Sequence, residues 1–463
     1  MMLVREEVPP AVVVSPVGTM SWTIAIAVLV LSVLVVLVVR RRDRTRRMRL
    51  PATTAPLSAG AVSFAALETV GEAMIDAGYT VKTVHSTLED IARVNGYPRT
   101  EIVVMPTALF VSTRGGGELR TGAVSSGHTP LLLHQLDDLD RIVGQARTGG
   151  VDASRARALI RLMRISPPPF SATARVIAYV FLCAALAVLL GASWAGVAVA
   201  AILGSVVGAV LLLAAGLPRL HEPILTAALA FTCSVAVFLL ARTELDPGVL
   251  PSLIAPIVVL LPGALLTTGV IELATGQMVS GAARVATGFM QLVLLATGIV
   301  AGAALVGIPH IDLTEADQPL GPIAPWIAVA VFGAAVVINR GGRARSIPWI
   351  VLVLYVAYAA QVIGDIFFGG VLSAFVGALA MTPMAGFVSR LPSGPAAPVT
   401  FLPGFWMLVP GALGLVGVTT ILDGDGSGAA TIVTTVSTMV AIALGILSGS
   451  GLSGRFRSPR TLI

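Results

Sequence analysis

Apolar stretches long enough to cross a bilayer recur along most of this chain, and that feature alone decides what it can fold into. A helix needs ~20 predominantly apolar residues to span a hydrocarbon core about 30 Å thick. Eleven runs meet or approach that length: 21–39, 171–191, 194–216, 224–241, 249–270, 281–308, 321–338, 347–363, 366–388, 399–421 and 429–449. Lipid offers no partner to a peptide group, so each such run must be helical. Only 12% of the 463 residues are charged, about half the ~25% usual in water-borne domains. Mean hydropathy is +0.92. The expected fold class is a polytopic α-helical membrane protein.

The first run stands apart from the others. Its flank RRRDRTRRMR, Arg40 to Arg49, follows the apolar residues, whereas a cleavable signal peptide carries its charge ahead of them. Residues 1–50 therefore read as a retained anchor with a basic flank on the cytoplasmic side. Residues 58–168 differ in composition. Val81, Val84, Leu88 and Ile91 share one helical face, as do Leu132, Leu136, Leu139 and Val143, which marks amphipathic helices. Between them EIVVMPTALFVSTRGGGELRTGAV reads as two or three short strands with Gly115 to Gly117 as a hairpin turn. This is a small cytoplasmic α+β domain, stopped by Pro167-Pro168-Pro169.

Ten core spans remain, and arginine orients them, because basic loops resist translocation. With the first loop inside, the cytoplasmic connections and tail carry Arg219, Arg284, Arg340, Arg343, Arg345, Arg390, Arg455, Arg457 and Arg460, and the outer connections carry only Arg242. Glu315 in PHIDLTEADQPL is then external. Basic residues crowded at the ends of apolar runs indicate a lipid bilayer as partner and no nucleic acid. Cys183 and Cys233 both lie inside apolar runs and suggest neither a disulfide framework nor a thiolate site.

One short stretch repeats. PGALLTTGV, Pro262 to Val270, returns as PGALGLVGV, Pro410 to Val418, with six of nine residues identical at an offset of 148. Each copy falls in the fourth span of a five-span half, so 170–308 and 320–450 read as two inverted repeats, followed by a basic tail, 451–463. Halves with an odd number of spans insert in opposite orientations, an architecture used by many secondary transporters. Proline and glycine free backbone groups that lipid cannot satisfy, which marks a wet cavity or a packing kink. The broken ends of two helices offer amides and carbonyls to a small zwitterion. Pro262, Gly263, Thr267, Thr268, Pro410 and Gly411 are the candidate substrate-binding residues.

Glu272 and Asp365 are candidates for proton coupling, since intramembrane acids are costly and commonly functional. The alternatives are an interfacial acid at 272 and a solvated loop residue at 365. Arg175 and Arg284 read as interface anchors that snorkel to head groups, and Gln291 as an interhelical hydrogen-bond donor. His85, His128 and His134 lack metal-ligand spacing, and neither a P-loop nor a nucleophile elbow occurs. No cofactor is expected, and nucleotide-driven pumping within this chain is disfavoured.

The run LLPGALLTTGVIELATGQMVSGAARV resembles the signature of the threonine/serine exporter family, and FLPGFWMLVPGALGLVGV resembles the signature of that family's second half. GEAMIDAGYTVKTVHSTLEDIARVNG, followed by MPTALFVS, is similar to its N-terminal domain. The resemblance implies proton-coupled export of L-threonine and L-serine through ten spans. Thr268, Ile271 and Gln277 stand where that signature usually has Asn, Arg and Asp. The other classes compatible with the residues are a membrane-embedded enzyme and a non-transporting scaffold. A homo-oligomer is compatible with any of the three.

Overall fold

The structure, a computed structural model, describes residues 59–115, 118–125, 130–215, 221–243, 248–307, 320–408, 410–423 and 428–454. The expected anchor 21–39, the glycines 116 and 117, His128, Glu315 and the tail from 455 lie outside the described residues.

Helix α1 (Ala59–Asp76) buries Leu67, Val70 and Met74 at the three- and four-residue spacing of one helical face. It ends at Gly78, whose φ of +81° only glycine adopts without strain. The next helix, α2 (Val81–Val94), starts at Thr80, whose hydroxyl accepts the Thr83 amide. The predicted face of Val81, Val84, Leu88 and Ile91 is buried. Strands β1 (Thr100–Met105), β2 (Ala108–Gly115) and β3 (Glu118–Ser125) form an antiparallel sheet in the order β1-β2-β3. Leu109 and Val111 point into the core while Phe110 points out, the period of two that a half-buried strand requires.

Helices α3 (Leu133–Arg147) and α4 (Ala153–Arg164) complete the domain. The apolar face expected on α3 serves two cores. Leu139 and Val143 pack inside the α+β domain. Leu133 and Leu136, near the start of the helix, join the core of the membrane body.

That body comprises α5 (Ala172–Leu189), α6 (Trp194–Ala214), α7 (Glu222–Ala241), α8 (Val249–Ile257), α9 (Gly263–Ala274), α10 (Met278–Val306), α11 (Ala324–Asn339), α12 (Ile347–Phe368), α13 (Gly370–Val388), α14 (Ala397–Leu408), α15 (Pro410–Leu422) and α16 (Gly428–Gly454). Among the described residues eight helical stretches are long and apolar enough to cross a membrane, and α8 with α9 makes a ninth, bent by 64°. Helix α11, with 16 residues, is apolar but shorter. The two expected breaks differ in kind. In the first, a 3-10 turn (Val258–Leu260) and the non-helical Leu261-Pro262 separate the helices. In the second, only residue 409 intervenes, and α14 with α15 counts as one 26-residue apolar stretch. A proline is tolerated at the first position of a helix because its missing amide has no partner there anyway, and Pro410 opens α15.

The helices before and after residue 310 pair in the same pattern. Helix α5 packs on α6, α6 on α8, α7 on α10 and α9 on α10; likewise α11 on α12, α12 on α14, α13 on α16 and α15 on α16. Between the sets, α5 meets α11, α10 meets α15 and α9 meets α16. The atoms agree as well. A Cβ added at Gly298 of α10 would meet Ala227 O, Ala230 Cβ and Phe231 N of α7. At Gly445 of α16 it would meet Phe375 O, Ala378 Cβ and Leu379 N of α13; these three stand 148 positions after their counterparts, and Gly445 stands 147 after Gly298.

Candidate functional site

The two PGAL stretches meet. A Cβ on Gly411 would lie 3.1 Å from Leu261 Cβ and 3.2 Å from Gly263 N. Pro262, Gly263 and Gly411 are all buried. Gly411 therefore faces the other break and not open space. Side chains take up backbone groups that the bend frees. Tyr179 Oη donates to Pro256 O at 2.8 Å, and Gln291 Nε2 donates to Leu260 O at 2.8 Å. The donor role expected of Gln291 is thus directed at the break itself, and it meets the requirement that buried peptide groups be paired.

Thr267, one turn into α9, is fully buried and its hydroxyl has no hydrogen-bond partner. Buried polar atoms are nearly always paired, so this hydroxyl beside a helix break is worth testing. Thr267→Val is close to isosteric and removes only the hydroxyl. Its expected outcome is unchanged or slightly raised thermal stability of the purified protein. Transport, measured as an initial rate, should fall about five-fold, the worth of one hydrogen bond of ~1 kcal/mol. Equal losses in both measurements would make the hydroxyl structural.

A cavity of about 800 Å³ lies between the two sets of helices. Its wall carries Tyr358, Gln361 and Asp365 from α12, Ser373 from α13, and Thr434 and Thr438 from α16. It reaches Ala412 and Leu413, next to the crossing of the breaks. Helix α12 begins beside Arg343, which binds the α+β domain, so Asp365 near its far end lies on the face away from that domain. Of the predicted site residues, this cavity takes Asp365. Thr268 instead lines a second cavity, of about 260 Å³, on the domain side of α9.

Glu272 is completely buried. Its carboxylate accepts from Val81 N at 3.0 Å, Ser280 Oγ at 2.6 Å and Arg284 Nε at 3.0 Å, and Arg284 Nη2 also reaches Tyr79 O at 3.2 Å. These contacts tie the turn between α1 and α2 to the α9–α10 corner. Arg284 is thus an ion-paired residue with a nearly buried side chain, not the lipid-facing anchor expected. Arg175 also turns inward, exchanging hydrogen bonds with Asn339 across α5 and α11.

A second tie was not foreseen. Asp137 is buried and accepts from Ala396 N at 3.0 Å, from Arg343 Nη1 at 2.7 Å and from Arg141. Arg343 also holds Asp138, and His134 Nδ1 lies 2.7 Å from Gly341 O. The domain thereby grips both sets of helices. Tyr79 stiffens the first grip. Burial pushes its phenol well above the usual range, and Asp140, to which it donates, adds to the push. It stays a neutral donor at any physiological pH.

The sequence profile described as "Putative threonine/serine exporter" matches residues 65–306, just over half of the chain. The chain belongs to the threonine/serine exporter family. Two relatives extend the likeness past the profile. A "Probable threonine/serine exporter" of Mycobacterium tuberculosis is 26% identical over 411 residues, 84% of this chain and 76% of that protein. A "Threonine/serine exporter" of Corynebacterium glutamicum is 23% identical over 418 residues, 87% of this chain and 84% of that one. No solved structure matches the chain. The exporter-family profile takes in most of the α+β domain, the grip on α9 and α10, and the first break. Asp137 lies within it, whereas Asp365 and the second break lie beyond it.

Proposed function

We propose that this chain is a secondary transporter of the plasma membrane that exports small amino acids, L-threonine and L-serine, from the cytoplasm in exchange for protons. Its ten spans form two inverted five-span repeats, and the α+β domain and C-terminus are cytoplasmic, as the arginine distribution requires. The repeated pairing of helices and the matching environments of Gly298 and Gly445 support the repeat. The names of the relatives support the substrate class. Catalysis is no part of the proposal.

The observation that carries the reading is the large cavity in which polar side chains from three helices end at the crossing of two broken ones. Its volume lies in the usual range for ligand pockets, ~300–1,000 Å³. Of the two candidate carboxylates we assign coupling to Asp365. It stands in the cavity wall, where an incoming proton and the ammonium of an outgoing amino acid compete for one charge. That competition is exchange without any further part. Glu272 already satisfies three donors and is assigned to holding the domain. Cells expressing the chain and preloaded with radiolabelled L-threonine are expected to release it several-fold faster than cells carrying an empty vector, and collapse of the proton gradient should remove the difference. Equal release from both would sink the proposal.

A further inference from the structure

The two cavities are counterparts. Leu250, Ala412 and Leu413 line the larger, and Pro398, Ala264 and Leu265 line the smaller. Each pair is related by 148 positions, the same offset that relates the two PGAL stretches. One cavity lies on the far face and one on the domain face, as a pseudo-two-fold axis through the crossed breaks demands. Their sizes differ because the smaller has an occupant. Ala77, Gly78, Tyr79, Thr80 and Thr83 of the α+β domain form part of its wall, and Leu136 closes it from α3. Glu272 and Arg284 hold this turn in place through Val81 N and Tyr79 O.

We infer that the smaller cavity is the cytoplasmic loading site for the exported amino acid and that the Gly78–Thr80 turn is its stopper. The site rests on the transport reading, since only a solute that crosses needs a site on both faces. Symmetry gives the loading site the same depth beside the breaks as the outer cavity, with Thr268 in its wall. The stopper makes the domain part of the transport cycle. Loading requires the turn to lift from Glu272 and Arg284, and the second grip, at Asp137, keeps the domain attached while it does. The Nη2 of Arg284, released from Tyr79 O when the turn lifts while Nε stays on Glu272, is then available to the carboxylate of the entering amino acid. A guanidinium pairs with a carboxylate through two parallel hydrogen bonds.

The test is labelling of Leu265→Cys, in the full chain in inside-out vesicles, with a membrane-impermeant maleimide. Cys183 and Cys233 are buried, and the unsubstituted chain gives the background. Labelling is expected to be slow, and about tenfold faster when Glu272→Gln loosens the stopper. Asp137→Asn, cutting the other grip, should also accelerate it, so the inference stands on two variants should one fail to fold. In the loosened variants L-serine or L-threonine should slow labelling, and ethanolamine, which lacks the carboxylate that Arg284 would hold, should not. The inference is overturned by labelling that is fast with both grips intact, that is unchanged when both are cut, or that ignores L-serine and L-threonine. A chain that exports threonine yet gives any of these results keeps its function and loses this site. Loss of export with labelling that still depends on the grips refutes the transport reading instead.

Discussion

Gly411→Leu is expected to abolish transport and to lower thermal stability as well. The Cβ alone would sit 3.1 Å from Leu261 Cβ and 3.2 Å from Gly263 N. Neither atom lies at the end of a flexible side chain, so neither can swing aside. Overpacking a fitted core costs roughly 1–3 kcal/mol, and here the strain falls on the contact that seats one break on the other. Gly411→Ala should behave as a weaker version of the same lesion, with a smaller drop in melting temperature and partial transport. Gly144, on α3, has open space around its missing Cβ, and alanine there should be harmless. The measurement is thermal unfolding of purified protein beside initial transport rates. Full stability in Gly411→Leu with transport lost would mean that position 411 faces solute, as the sequence alone suggests. Normal transport would mean that the crossing is incidental.

The membrane class, the boundaries of most helices and the α+β domain were legible because hydropathy and periodicity are local. The bend at Pro262-Gly263 was legible for the same reason: a proline and a glycine end a helix wherever they fall. The second PGAL was legible in the same way, since Pro410 opens a new helix, a position where proline costs nothing. The partner of Glu272 was missed because it lies twelve residues on, at Arg284, across a helix corner. The Asp137–Arg343 tie joins residues 206 apart, and no pattern in either segment announces it. One signal was present and unused. Tyr358, Gln361 and Asp365 recur at helical spacing in an apolar span, and that polar stripe is the wall of the large cavity.

Asp365→Asn is expected to have the largest effect on coupling. The amide keeps the size of the side chain but cannot exchange a proton for an ammonium. A hydrogen bond to a charged group is worth ~1.5–3 kcal/mol, so affinity for the amino acid should fall about tenfold to a hundredfold. Folding should survive, because Asp365 is exposed to the cavity and not packed.

Counterflow in proteoliposomes, with radiolabelled L-threonine outside, unlabelled L-threonine or L-serine inside, and a pH gradient imposed or absent, reads export and coupling together. The wild-type chain should accumulate label transiently and faster with the gradient, while Asp365→Asn should show slow exchange that the gradient does not change. Absence of counterflow by the wild type with either amino acid, or full acceleration by the gradient in Asp365→Asn, would contradict proton-coupled exchange through this cavity.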